Sequence, residues 1–110
     1  MRVHRARAEV TIGMYKEMRK AHPASPTGQQ FIAYLGGLGA GISEITAMSE
    51  KLGGKPVYCA PGKFALGPEV IKSILDRELT KLGALESTKF DKYHVTSPLV
   101  IALKQQYPCN

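Results

Sequence analysis

Apolar residues recur along the chain at helical spacing, and the longest such run lies near its middle. Between residues 27 and 52, Phe31, Leu35, Leu38, Ile42, Ile45, Ser49 and Leu52 follow one another at steps of four and three. That spacing puts them on one stripe of an α-helix, apolar except at Ser49. Thr27 with Gln30 three residues on fits a capping box, and Gly53-Gly54 followed by Pro56 stops the run. Four glycines, Gly36, Gly37, Gly39 and Gly41, lie inside it. Each costs roughly 1 kcal/mol against Ala in a helix interior, so together they cost about 3–4 kcal/mol. The apolar phase survives across them, which predicts one unbroken helix rather than two. Close packing is the expected compensation: Ala33, Gly37, Ala40 and Gly41 form a side-chain-poor strip on which another helix could lie. Gly37 and Gly41 are therefore candidate helix-packing positions, with a homodimer contact as their other use.

Three shorter helices flank this one. Residues 9–21 carry Val10, Met14, Tyr15 and Met18 on one face, and His22-Pro23 ends them. Residues 55–67 form an extended connection, unusually apolar through Val57, Tyr58, Phe64 and Leu66, and predicted to be pinned across the core. Gly67-Pro68 opens a third helix with Glu69 at the positive end of its dipole. Its stripe is Ile71, Ile74, Leu75, Glu78, Leu79 and Leu82, and Gly83 ends it. Residues 84–96 show no period. Ser97-Pro98 starts a fourth helix with Leu99, Val100, Leu103 and Tyr107 on its apolar face, and Pro108 terminates it. No stretch alternates with period two. The fold expected is all-α: a polar tail over residues 1–8 and a single four-helix domain over residues 9–110.

Composition narrows the function. A chain of 110 residues, 44% hydrophobic and 22% charged, suits one folded domain and excludes disorder. There is no uninterrupted run of eighteen apolar residues, so no membrane span is expected. The net charge is +6, of which residues 1–20 carry +4, from six Lys or Arg against two Glu. An excess concentrated in MRVHRARA reads as a solvated tail. The alternative is a cytosolic helical nucleic-acid binder that uses MRVHRARA together with Lys16, Arg19 and Lys20 on phosphates. No apolar segment of seven residues follows the first arginines before Glu9, so the tail is not a signal peptide. Either the protein is cytosolic or the sequence begins after a leader.

Candidate chemistry is thin. Cys59 and Cys109 lack metal-type spacing, and are either two separate thiols or one disulfide closing a loop of about fifty residues. A cysteine nucleophile needs a histidine base, and of His4, His22 and His94 only His94 sits in a loop that could approach one. Gly36 and Gly41 are not followed by the Lys-Ser/Thr of a phosphate loop. No catalytic residue, metal site or cofactor is expected. Residues 84–96 are the longest polar-aromatic stretch: Phe90, Tyr93 and His94 have the character of partner anchors, and Glu86, Asp91 and Lys92 that of polar contacts. An equal alternative is that Phe90 and Tyr93 tuck into the core.

Four segments, in order, give the chain a family likeness: FIAYLGGLGAGI, VYCAPG, VIKSILDREL and SPLVIALKQQYPC, which together span residues 31–109. With its glycine-rich helix, its cysteine in a proline-containing loop and its final helix closing on Tyr-Pro-Cys, the chain resembles the Rap/Tai immunity proteins. These neutralise peptidoglycan amidases delivered by the type VI secretion system. The resemblance implies a small helical periplasmic protein without catalytic activity. It implies a Cys59–Cys109 disulfide, and a cognate amidase effector whose active-site groove is blocked by a protruding loop, often by a homodimer. It also implies that a leader precedes the sequence given.

Overall fold

The computed structural model describes residues 10–59 and 66–109. It is an all-α domain: 63% of the described residues are helical and none of them forms a strand. The helices are α1 (Ile12–Met18), α2 (Pro26–Lys51), α3 (Pro68–Leu82) and α4 (Thr96–Gln106). α3 is the centre of the arrangement: it packs on α2 along one side and on α4 along the other, and α1 crosses α2. Its stripe is the core. Ile71, Ile74, Leu75 and Leu79 are buried against Phe31 and Leu35 of α2, Leu99 and Leu103 of α4, and Ile12 and Tyr15 of α1. Gly67 caps its start before Pro68, and Gly83 ends it in the left-handed region at φ 72°.

α2 is one unbroken helix across all four glycines. Its cap is Ser25 rather than the predicted Thr27, for the Ser25 hydroxyl accepts from the Gly28 N–H at 3.0 Å. The hydroxyl also donates to the His22 carbonyl at 2.7 Å, which folds the 22–25 turn onto the helix start. Close approach occurs at Gly28 and Gly39, where a Cβ would collide with the carbonyls of His22 and Leu66. Gly37 and Gly41 correct the sequence reading: among the described residues nothing lies within 4 Å of a Cβ built on either. The physical reason is rotational. Gly28, Phe31, Leu35 and Gly39 face the core, and the strip through Gly37 and Gly41 faces away from it.

The predicted stripe is also buried over only part of its length. Leu38 and Ile42 are half-buried, whereas Ile45 and Leu52 are 66% and 79% exposed. A helix of 26 residues is about 39 Å long and one of 15 about 22 Å, so α2 outruns α3. With 26 residues and a mean hydropathy of 1.3 over eighteen of them, α2 is long and apolar enough to cross a membrane by length and composition. A search for uninterrupted apolar runs passes over it because Gly, Ser43, Glu44 and Thr46 break the run.

The shorter elements move from their predicted bounds for one reason. Residues 10 and 11 run antiparallel to residues 94 and 95, and the first turn of α1 continues the contact: the Ile12 N–H donates to Tyr93 O at 2.7 Å, that of Gly13 to Asp91 O at 3.0 Å, and that of Val95 to Val10 O at 2.9 Å. This antiparallel contact, centred on Thr11 and His94, delays α1 to Ile12, with Thr11 as its cap. It also sets the start of α4 at Thr96 instead of after Ser97, with Val95 in the cap position and fully buried.

The Cys59–Cys109 disulfide is formed, with Cα atoms 5.0 Å apart and the two residues 50 positions apart in sequence. Around it the Cys59 N–H donates to Tyr107 O at 2.8 Å, and the Tyr58 and Tyr107 rings lie 6.4 Å apart. Tyr58 and Leu66 are buried, so the described parts of the 55–67 connection lie pinned against the core, as predicted, while Val57 is exposed. Phe64 lies outside the described residues, as do residues 1–8 and His4.

Candidate functional site

The polar-aromatic loop between α3 and α4 is a rigid ledge on the body. Lys16 of α1 holds it from below: its ammonium donates to the Asp91 carboxylate at 2.8 Å and to the Ser87 carbonyl at 2.9 Å. Asp91 is thus half-buried under α1, with one carboxylate oxygen taken up by Lys16. Phe90 packs against the core, with the Lys89 ammonium 5.5 Å from its ring centroid. Tyr93 does the opposite. Its backbone carbonyl is bound to Ile12 while its side chain is 61% exposed, tilted at 40° to the Phe90 ring at 6.2 Å. Glu86, Lys92 and His94 are exposed beside it. The loop therefore divides Phe90 and Asp91, turned inward, from Glu86, Lys92, Tyr93 and His94, turned outward. Lys89, which the sequence reading passes over, joins the exposed set.

A second feature lies at the other end of α1 and was missed from sequence. Asp76 of α3 accepts from Tyr15 Oη at 2.7 Å, Arg19 Nε at 3.2 Å and Lys72 Nζ at 2.9 Å. Burial alone would raise the Asp76 pKa; the hydrogen bonds from Lys72, Tyr15 and Arg19 outweigh it and hold the carboxyl below its usual range. Burial, then the bond to Asp76, pushes the Tyr15 phenol far above its ordinary value. One sequence signal was present: Lys72 and Asp76 stand at i,i+4. Tyr15 and Arg19, also four apart, gave none, because their partner lies on another helix.

Beside this cluster runs a groove of about 590 Å³ between the start of α2 and the start of α3. Its lining is mostly apolar, through Phe31, Ile32, Leu35 and Val70, and Arg19, Lys72 and Glu69 supply its charges. A shallower hollow of about 440 Å³ follows the outer face of α2 along Gly37, Gly41 and Ile45. A small polar recess of about 220 Å³ between α3 and α4 holds the buried Glu78 carboxylate, paired with Lys81 at 3.3 Å.

Compared with protein-family models, curated proteins and solved structures, the chain matches none.

Function must therefore be argued from the residues themselves. Both cysteines are in the disulfide, so neither is a thiol that His94 could activate. Among the described residues no cluster of His, Cys, Asp or Glu could hold a metal ion. Of the cations in the nucleic-acid reading, Lys16, Arg19 and Lys20 each lie beside a carboxylate, of Asp91, Asp76 and Glu17, and those of MRVHRARA lie outside the described residues. The described residues form a helical body that carries an exposed aromatic ledge, bonded through its backbone to residues 10–13.

Proposed function

We propose that this protein is a periplasmic immunity protein of the Rap/Tai kind, which binds a type VI secretion peptidoglycan amidase and occludes its active-site groove. The observation that carries this reading is the disulfide between Cys59 and Cys109. These are the two cysteines of the ordered motif set, one after the glycine-rich helix and one in the closing Tyr-Pro-Cys. A bridge of this kind fits an oxidising compartment.

In this reading the 84–96 ledge is the inhibitory surface. Tyr93 supplies a large anchor, and Glu86, Lys92 and His94 supply polar contacts around it. Its backbone bonds to residues 10–13 hold it before binding, so little ordering entropy is lost when it enters a groove. A second copy of the chain would use the outer face of α2, where Gly37 and Gly41 let another helix approach and Ile45 is exposed. Inhibition is stoichiometric and needs neither catalysis nor a cofactor.

The test is co-expression in the periplasm with the amidase encoded beside this gene. Rescue from lysis, lost on Tyr93→Ala together with Lys92→Glu, is the expected outcome. Continued lysis with the folded, oxidised protein present overturns the reading.

A further inference from the structure

We infer that the groove between α1, α2 and α3 is a binding site for a medium-chain aliphatic carboxylate. The floor is a nearly continuous hydrocarbon surface: Phe31 and Leu35 lie at 6% and 1% exposure, and Ile32 and Val70 stand at the sides. From Gly28 to Leu35 it follows two turns of α2, about 10 Å at 1.5 Å per residue. Its volume, about 590 Å³, lies within the range typical of small-molecule sites, which are mostly apolar with a few placed polar groups.

The placed groups are the cations. Arg19 and Lys72 come from different helices, yet both line this groove and both are held by the Asp76 carboxylate. Asp76 takes Arg19 through Nε at 3.2 Å, and the guanidinium also lies against the Tyr15 hydroxyl, which fixes it at the wall of the groove. A guanidinium and an ammonium side by side at the wall of an apolar groove suit a carboxylate better than a neutral headgroup. Glu69 also lines the groove, but in the first turn of α3, where the helix dipole offsets its charge. Apolar floor and cationic end together select an aliphatic chain ending in a carboxylate. The site is separate from the 84–96 ledge and does not rest on the immunity reading.

Calorimetric titration of the full, disulfide-intact chain with hexanoate, octanoate and decanoate tests this. One site is expected, with affinity rising about fourfold for each added methylene. Decanol, the neutral counterpart of decanoate, should bind at least tenfold more weakly. Arg19→Gln with Lys72→Gln should bring decanoate down to the decanol level. Because those changes also unpair Asp76, Ile32→Trp serves as a second variant: it fills the groove from a partly exposed position, leaves the cluster intact and should abolish binding of both compounds. Amide shifts on decanoate addition should centre on Ile32 and Val70. Absence of saturable decanoate binding below micelle formation overturns the inference. So does decanol binding as well as decanoate, or shifts centred on Ile45 and Met48 of the exposed half of α2.

Discussion

The Tyr15 hydroxyl donates to the Asp76 carboxylate at 2.7 Å across 61 residues of chain, and this bond joins the first helix to the central one. Tyr15 has no exposed surface, and its ring packs on Phe31 at 5.4 Å between centroids. Asp76→Asn should therefore cost about 1.5–3 kcal/mol in urea unfolding, the range for hydrogen bonds to a charged group. Tyr15→Phe, which keeps the ring and removes one donor, should cost less.

Acid should act through the same carboxylate. Its folded pKa is depressed, so the native state holds the ionised form more tightly than the unfolded chain does. That contribution is complete above the unfolded Asp value of about 3.9 and is lost as pH falls from there through the folded value. Wild type should lose stability below about pH 4 more steeply than Asp76→Asn, measured as thermal midpoint against pH.

Reduction of the Cys59–Cys109 bridge should destabilise the domain by about 4 kcal/mol, the chain-entropy value for a loop of fifty residues. Denaturant midpoints with and without reductant give this directly, and thiol titration of the unfolded, unreduced protein should find none. A difference under about 1 kcal/mol would mean that packing of Tyr58 and Tyr107 alone holds the C-terminal end.

The α2 glycines should separate into two classes. Gly28→Ala and Gly39→Ala drive a methyl into the backbone carbonyls of His22 and Leu66 and should cost about 1–3 kcal/mol. Gly37→Ala and Gly41→Ala meet open space in a helix interior and should stabilise the monomer by up to about 1 kcal/mol each. Thermal midpoints at low concentration read both effects; sedimentation at higher concentration shows whether the same two changes weaken self-association.

Within the ledge, stability and binding should part company. Phe90→Ala and Asp91→Ala should lower the thermal midpoint, since one ring packs on the core and one carboxylate holds Lys16. Tyr93→Ala and Lys92→Ala should leave the midpoint nearly unchanged and, on the function proposed above, weaken amidase binding tenfold or more.

Much of the architecture was legible before the structure. The Gly67-Pro68 start of α3 and its Gly83 stop are local signals and hold, and its predicted stripe is buried from Ile71 to Leu79, while Leu82 at its end is 45% exposed. The candidate site was half legible. Composition drew attention to residues 84–96, but could not say that Asp91 is consumed by Lys16 while Tyr93 stays outside. That depends on residues 10–13 lying alongside, a pairing between segments about eighty residues apart.

Which stretches become helical is written locally, because helical periodicity, caps and breakers act within a few residues of one another. Tertiary structure decided how far each helix runs, which face of α2 is buried, and which charges meet. α2 is longer than α3, so an apolar stripe continuous in sequence leaves the core after Ile42. Asp76 gathers Tyr15, Arg19 and Lys72 only once two helices have docked. A pattern along one helix says that a face exists; burial is settled by what the rest of the chain can reach.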